Sequence, residues 1–190
     1  MKSSELMVVV RRATSVDAEI IAQAVAMAIG DESALRAYCG DDYLAVLGEI
    51  AYRKGTQYSW ERALVAEVNG VVAGAIVGYD GAELQQLREG TFEVLRELVG
   101  RTPNIVDETE AGEYYLDSVG ILPQFRGLGV GRKLVDSFCQ KVFEEGHRCV
   151  GLIVDFANPT AESLYASLGF VRKNPCTFFH HQMWHLQREA

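Results

Sequence analysis

The sequence predicts a single α/β (α+β) domain, a mixed central sheet of six to seven strands flanked by helices. β-rich runs and helical stripes follow one another in the order β-α-α-β-β-(α)-β-α-β-α-β-β, which packs helices onto a sheet. The run "CVGLIVD" lacks polar alternation, as a strand buried on both faces requires. A chain of 190 residues, 48% hydrophobic and 23% charged, fits one compact domain with a sizeable core.

Each element has its own signal. "MVVVRRAT" reads as the first strand, and "SVDAEIIAQAVAMAIG" as a helix with Ser15 as N-cap and Gly30 as stop. "DDYLAVLGEIAYRKG" is a further helix. "ALVAEV" and "VVAGAIVGY" flank Asn69-Gly70, the pair suited to a type I′ hairpin turn. In "AELQQLREGTFEVLRELVG" the periodic Leu84, Leu87, Leu95 and Leu98 predict two short helices, or one interrupted at Gly90. "RTPNIVDETEAG" follows as an acidic loop; Asp107, Glu108 and Glu110 read as solvated, with a hint of a cationic amine. "EYYLDSVGI" alternates Tyr115, Asp117, Val119 and Ile121 on one face with Tyr114, Leu116, Ser118 and Gly120 on the other.

"RKLVDSFCQKVFEEG" then places Leu134, Val135, Phe138, Cys139, Val142 and Phe143 on one helical stripe, closed by Gly146. "NPTAESLYASLG" is bracketed by Asn158 at an N-cap, Pro159 at N1 and Gly169 past its end. "FVRK" and "FFHHQMWHL" read as the last strands.

Charge and composition exclude several classes. A net charge of −8 lacks the basic footprint that nucleic acids and anionic membranes select, so neither is expected as a partner. The opening "MKSSELMVVVRRATS" holds only a short apolar run before two arginines, which makes the cytoplasm the expected location. Cys39, Cys139, Cys149 and Cys176 show no CxxC spacing and read as reduced thiols. His180, His181 and His185 fall in a strand, His181 and His185 on one face, with no acid at ligand spacing, so no metal is expected.

The glycines of "PQFRGLGVGRKLV" sit between a strand and a helix. An ATP- or GTP-type loop needs GxxxxGK[ST], but Gly131 is followed by Arg132 and Lys133 with no hydroxyl in register. A dinucleotide loop needs GxGxxG, whereas the spacing here is GxGxG, and too little chain follows Asp155 to complete such a domain. What remains is a short extended "PQFR" segment and a helix start whose free N–H groups and dipole attract an anion; a pyrophosphate fits. Arg126 and Arg132 either add charge at the rim or are solvated.

Here the residues resemble the GNAT superfamily of acetyl-CoA-dependent N-acyltransferases. Gln124-Phe125-Arg126-Gly127-Leu128-Gly129 fits its QxxGxG signature for the CoA pyrophosphate. "NPTAESLYASLGF" looks like its second signature, at Asn158, Ala161, Leu164, Tyr165, Gly169 and Phe170. The N-terminal strand-helix and the Asn69-Gly70 hairpin also look like the family's opening elements; Gly81 to Gly112 is longer than its compact pattern.

The resemblance implies a fourth and fifth strand that splay apart around the pantetheine arm of acetyl-CoA, a co-substrate used without metal. It places the cofactor against Val119, Gly120 and Ile121, the loop Gln124, Phe125, Arg126, Gly127, Leu128, Gly129, Val130, Gly131 and Arg132, and Asn158, Ala161 and Tyr165. Gly120 suits a local bulge there, or is a plain strand glycine. Tyr165, a phenol protonated at neutral pH, would return a proton to the leaving thiolate, though its helix position also suits a core tyrosine. Asp117 and Glu113, four residues apart on one strand face, are the candidates for the general base; solvated or structurally paired carboxylates are the other reading. The acceptor would be a primary amine of a small molecule or peptide, and a homodimer is compatible with the sequence. An acyltransferase for longer chains and a non-catalytic acyl-CoA-binding module stay open as alternatives.

Overall fold

The computed structural model describes residues 6–190; Met1 to Glu5, part of the segment on which the expected location rests, lie outside it. Among the described residues seven strands form one sheet: β1 (Val8–Arg12), β2 (Ala63–Val68), β3 (Val71–Asp80), β4 (Tyr114–Ile121), β5 (Cys149–Asp155), β6 (Val171–Phe178) and β7 (His181–Glu189). Their order is β1-β2-β3-β4-β5-β7-β6, and only β4 and β5 run parallel. The helices are α1 (Ala18–Ile29), α2 (Glu32–Cys39), α3 (Tyr43–Tyr52), α4 (Leu84–Val99), α5 (Val130–Glu144) and α6 (Pro159–Ser167).

The sheet divides two cores. Ile21, Val25, Leu47, Ile50 and Leu95 of α1, α3 and α4 pack on Val65, Ala75 and Val77. On the opposite face Leu134, Val135, Phe138 and Val142 of α5, with Tyr165 of α6, pack on Ile76, Leu116 and Leu152. The α5 stripe is therefore the core face that its spacing predicts. The Asn69-Gly70 turn has φ of 50° and 81°, the left-handed pair a type I′ turn needs. Among the described residues no helix is long and apolar enough to cross a membrane.

Several local expectations are corrected. Thr14, not Ser15, opens the first helical segment: its N–H and hydroxyl donate to Asp17, and a 3-10 turn over Ser15–Asp17 precedes α1. Residues 32–39 form a helix with no counterpart in the sequence reading, capped by Asp31, which accepts from the N–H groups of Ser33 and Ala34. Gly90 does not interrupt α4. It lets the helix pack on the loop at Gly55, whose carbonyl oxygen would lie 2.3 Å from an added Cβ. "FFHHQMWHL" is not one strand, because Phe178 ends β6 and Phe179-His180 turn with positive φ into β7. Pro175 is tolerated in β6 because that strand is the sheet edge.

Candidate active site

The β4–β5 ladder has only two rungs, Tyr114 to Val150 and Tyr115 to Gly151. Beyond them the strands part, and a cavity of about 640 Å3 runs through the gap. One end of the cavity touches Ile121, Gly131, Val135, Asn158, Ala161, Leu164 and Tyr165. The glycine loop adjoins this end. Gly127 and Gly129 both hold positive φ, 76° and 77°, and Gly129 caps α5. The first hydrogen bond back to this cap is Lys133 N–H to Gly129 O, and the N–H groups of Val130, Gly131 and Arg132 have no backbone acceptor among the described residues. The N–H groups of Gly127, Leu128 and Gly129 likewise find no backbone acceptor among the described residues. Six N–H donors at the positive end of a helix are chemically suited to an anion.

"PQFR" is not extended: Pro123–Phe125 form a 3-10 turn that steers the chain from β4 into this loop. Arg126 folds back, donating from Nε to Ile121 O, and Arg132 donates to Ser167 Oγ at 2.6 Å, so both arginines are tied to the loop's rim. Asn158 caps α6, its Oδ1 accepting from Ala161 N–H at 3.1 Å. Tyr165 is buried, edge-on to Phe170, and burial pushes its phenol up to about 12. Its hydroxyl therefore stays protonated at neutral pH.

The other end of the cavity is walled by Tyr38, Gln57, Tyr58, Arg88, Glu108, Tyr115, Asp117, Phe178, Phe179 and His181. Here β4 carries a bulge: Ser118 pairs with Val77 and Leu116 with Gly78, leaving Asp117 with no rung. The bulge sits at Asp117 rather than Gly120, and it reverses the pleat, so Tyr114 and Leu116 share the α5 core with Val119 and Ile121. Gly120 instead meets α1, where an added Cβ would lie 2.6 Å from Ala24 Cα.

Asp117 accepts hydrogen bonds from Tyr79 Oη at 2.8 Å and Ser118 Oγ at 2.9 Å. Tyr79 Oη also lies 3.3 Å from Glu108, and Gln57 Nε2 donates to Tyr79 at 3.0 Å. Arg88, buried on α4, ion-pairs with Glu108 and Asp107 and donates to the carbonyls of Ile105 and Val106. Burial raises the Asp117 carboxyl, held down in part by Tyr79 and Ser118; burial and then the nearness of Asp117 raise Glu108. Both carboxyls are thus pushed toward the protonated form relative to free side chains.

Residues 33–170 match a family model described as the acetyltransferase (GNAT) family. The chain belongs to that family. A solved structure described as an acetyltransferase is 32% identical, with a TM-score of 0.80 over 95% of this chain and 98% of that one. An N-acetyltransferase from Staphylococcus aureus Mu50, 24% identical, shares the fold with a TM-score of 0.77 over 94% of this chain and 99% of its own. A mycothiol acetyltransferase from Paenarthrobacter aurescens (strain TC1) is 41% identical over 61 residues, 32% of this chain and 18% of the relative. Another from Kocuria rhizophila is 40% identical over 70 residues, 37% of this chain and 22% of its own. The match spans about a fifth of the length of these curated relatives.

Within this GNAT-family site the structure brings Val119, Ile121, Gly131, Asn158, Ala161, Tyr165 and Asp117 to one cavity. It does not bring Glu113 there. That carboxylate is buried over Gly151, accepting from Thr109 at 2.7 Å and Gln187 at 2.8 Å and lying 2.8 Å from His185 Nε2, in a separate cavity of about 560 Å3. Its position on the Asp117 face followed from an unbroken pleat, which the bulge removes. Glu108 is not solvated: its side chain is 6% exposed, whereas that of Asp107 is 54% exposed. Sequence reading missed Glu108, Arg88, Tyr79 and Tyr58. One signal was present, since Arg88 falls on the same helical face as Leu84, Leu87, Thr91 and Leu95, where a buried cation demands a buried acid. His181 joins the cavity wall beside Asp155, its Nδ1 2.6 Å from the carboxylate, while His180 is exposed in the hairpin turn.

Proposed function

We propose that the protein is an N-acetyltransferase that moves the acetyl group of acetyl-CoA directly to a primary amine of a small molecule or peptide. One observation carries this reading. A single cavity crosses the sheet with a protonated phenol, Tyr165, toward the glycine loop and a buried carboxylate, Asp117, on the far side. The residues fit the co-substrate: the free N–H groups from Gly127 to Arg132 would hold its pyrophosphate, and the gap beyond Tyr115 and Gly151 is open to its arm. When bound, acetyl-CoA supplies the acetyl group as a thioester.

The chain supplies the rest. An alkylamine with a pKa of about 10.4 arrives protonated, and only its neutral form is a nucleophile. Asp117, raised toward neutrality and joined through Tyr79 to Glu108, takes that proton without a large mismatch in basicity. Past the bulge, the β4 edge facing β5 has no strand partner, so an N–H group at or near Val119 is available to the thioester oxygen as negative charge develops. Tyr165 returns a proton to the thiolate.

An acceptor panel of polyamines, amino acids, aminoglycosides and peptide N-termini, read by release of free CoA thiol, tests the reading. At least one acceptor is expected to release thiol above the hydrolysis background. No acceptor-dependent release, with CoA bound, would leave a binding module instead.

A further inference from the structure

The acceptor end of the cavity holds a buried carboxyl, Asp117, that pairs with no basic side chain among the described residues. Asp117 is bonded only to two neutral hydroxyls, of Tyr79 and Ser118. The basic side chains lining the cavity are Arg88 and His181. Arg88 is consumed by two carboxylates and two carbonyls, and His181 rests against Asp155. The walls beside Asp117 are aromatic: Tyr38 and Tyr58, both buried, with hydroxyls 3.5 Å apart, and Phe179 edge-on to Tyr38. Aromatic rings and a buried carboxylate together favour an organic cation, and a second anion there would find no unpaired basic side chain among the described residues.

From this we infer that the acceptor is a compact alkylammonium that carries no carboxylate beside its amine, so alkylamines and diamines are substrates and free α-amino acids are not. The inference rests on the proposed acetyl transfer and narrows its acceptor. The amine binds as a cation against Asp117 and gives up one proton to that carboxylate; its nitrogen then forms the C–N bond as the C–S bond breaks and sheds its second proton to solvent, while the leaving thiolate takes the proton of Tyr165, which solvent restores. The cavity must also admit the pantetheine arm, which leaves room for a short chain rather than a folded partner.

Two measurements on the whole chain test it. First, 1-aminobutane and 1,4-diaminobutane are compared with norvaline, which adds a carboxylate beside the amine, by thiol release from acetyl-CoA. A kcat/KM at least about tenfold lower for norvaline is expected; equal or better use of norvaline overturns the inference. Second, calorimetry without acetyl-CoA compares butylammonium with 1-butanol and butyrate. Butylammonium is expected to bind tightest, and Asp117→Asn to weaken it about tenfold or more while leaving butanol unchanged. No preference for the cation, or no binding by any of the three, overturns it. Selective cation binding without thiol release refutes acetyl transfer but leaves the cation site standing, whereas efficient release with norvaline does the reverse.

Discussion

The end of the cavity proposed for the cofactor is mostly backbone and apolar side chains with Asn158 and Tyr165, whereas the end proposed for the acceptor is made of buried charged and polar groups. At the first end, Gly127, Gly129 and the opening turn of α5 offer N–H groups that a local turn and a helix start hold in place. At the second, Asp117, Tyr79, Glu108 and Arg88 come from β4, β3, the 100–113 loop and α4, and each is held by the others. The contrast teaches where function can vary. A backbone cradle depends on a few conformations, but a charge network assembled from four segments can be retuned at any of them.

Breaking one end should spare the other. The largest effect is expected from Asp117→Asn, which removes the base: steady-state kinetics should show kcat/KM lowered about 10²–10⁴-fold, with CoA still raising the melting temperature. Tyr165→Phe, on the cofactor side of the gap, should lower kcat about a hundredfold across every acceptor while CoA binding persists. If turnover is unchanged, the phenol is only a core tyrosine. Gly129→Val separates the ends in the opposite sense. Open space surrounds its Cβ position, so the cost to folding is only the left-handed strain of about 1–2 kcal/mol, yet CoA should no longer shift the melting temperature.

The smallest effect is one of stability against pH. Asp117 and Glu108 have folded pKa values raised above their unfolded ones, so their contribution is present at low pH and is lost as pH rises toward neutrality. Glu113 has a lowered value and behaves oppositely: its contribution is present above about 4.5 and is lost as pH falls. Thermal unfolding at pH 5 and pH 8 should therefore show Asp117→Asn gaining on the parent protein at the higher pH, on the order of 1 kcal/mol. An equal difference at both pH values would mean that Asp117 titrates normally in the fold.

The same contrast governs what could be read from the sequence. The Asn69-Gly70 turn, the α6 bracket of Asn158 and Gly169, and the glycine loop were legible because a few adjacent residues determine each. The acceptor end was not, because its members meet only in the fold. A one-residue bulge at Asp117 shifts the pleat, and no periodicity count of "EYYLDSVGI" contains it. Glu108 looks solvated within "IVDETE" until Arg88, twenty residues upstream, draws it inward. Glu113 appeared to share a cleft with Asp117 but instead reaches across Gly151, where an added Cβ would overlap its carboxylate.

That reach has a mechanical consequence. With two rungs between β4 and β5, the sheet is two panels joined near one edge, and Glu113 is a stitch from the start of β4 past β5 to His185 and Gln187 on β7. Along the open part of the seam, a central sheet exposes amides that ordinarily lie dry. Hydrogen exchange should find the β4 amides after Leu116 that face the gap fast in the free chain and slow once CoA fills it. On that outcome the ligand would act as the missing strand, with the sheet continuous only while the cavity is occupied.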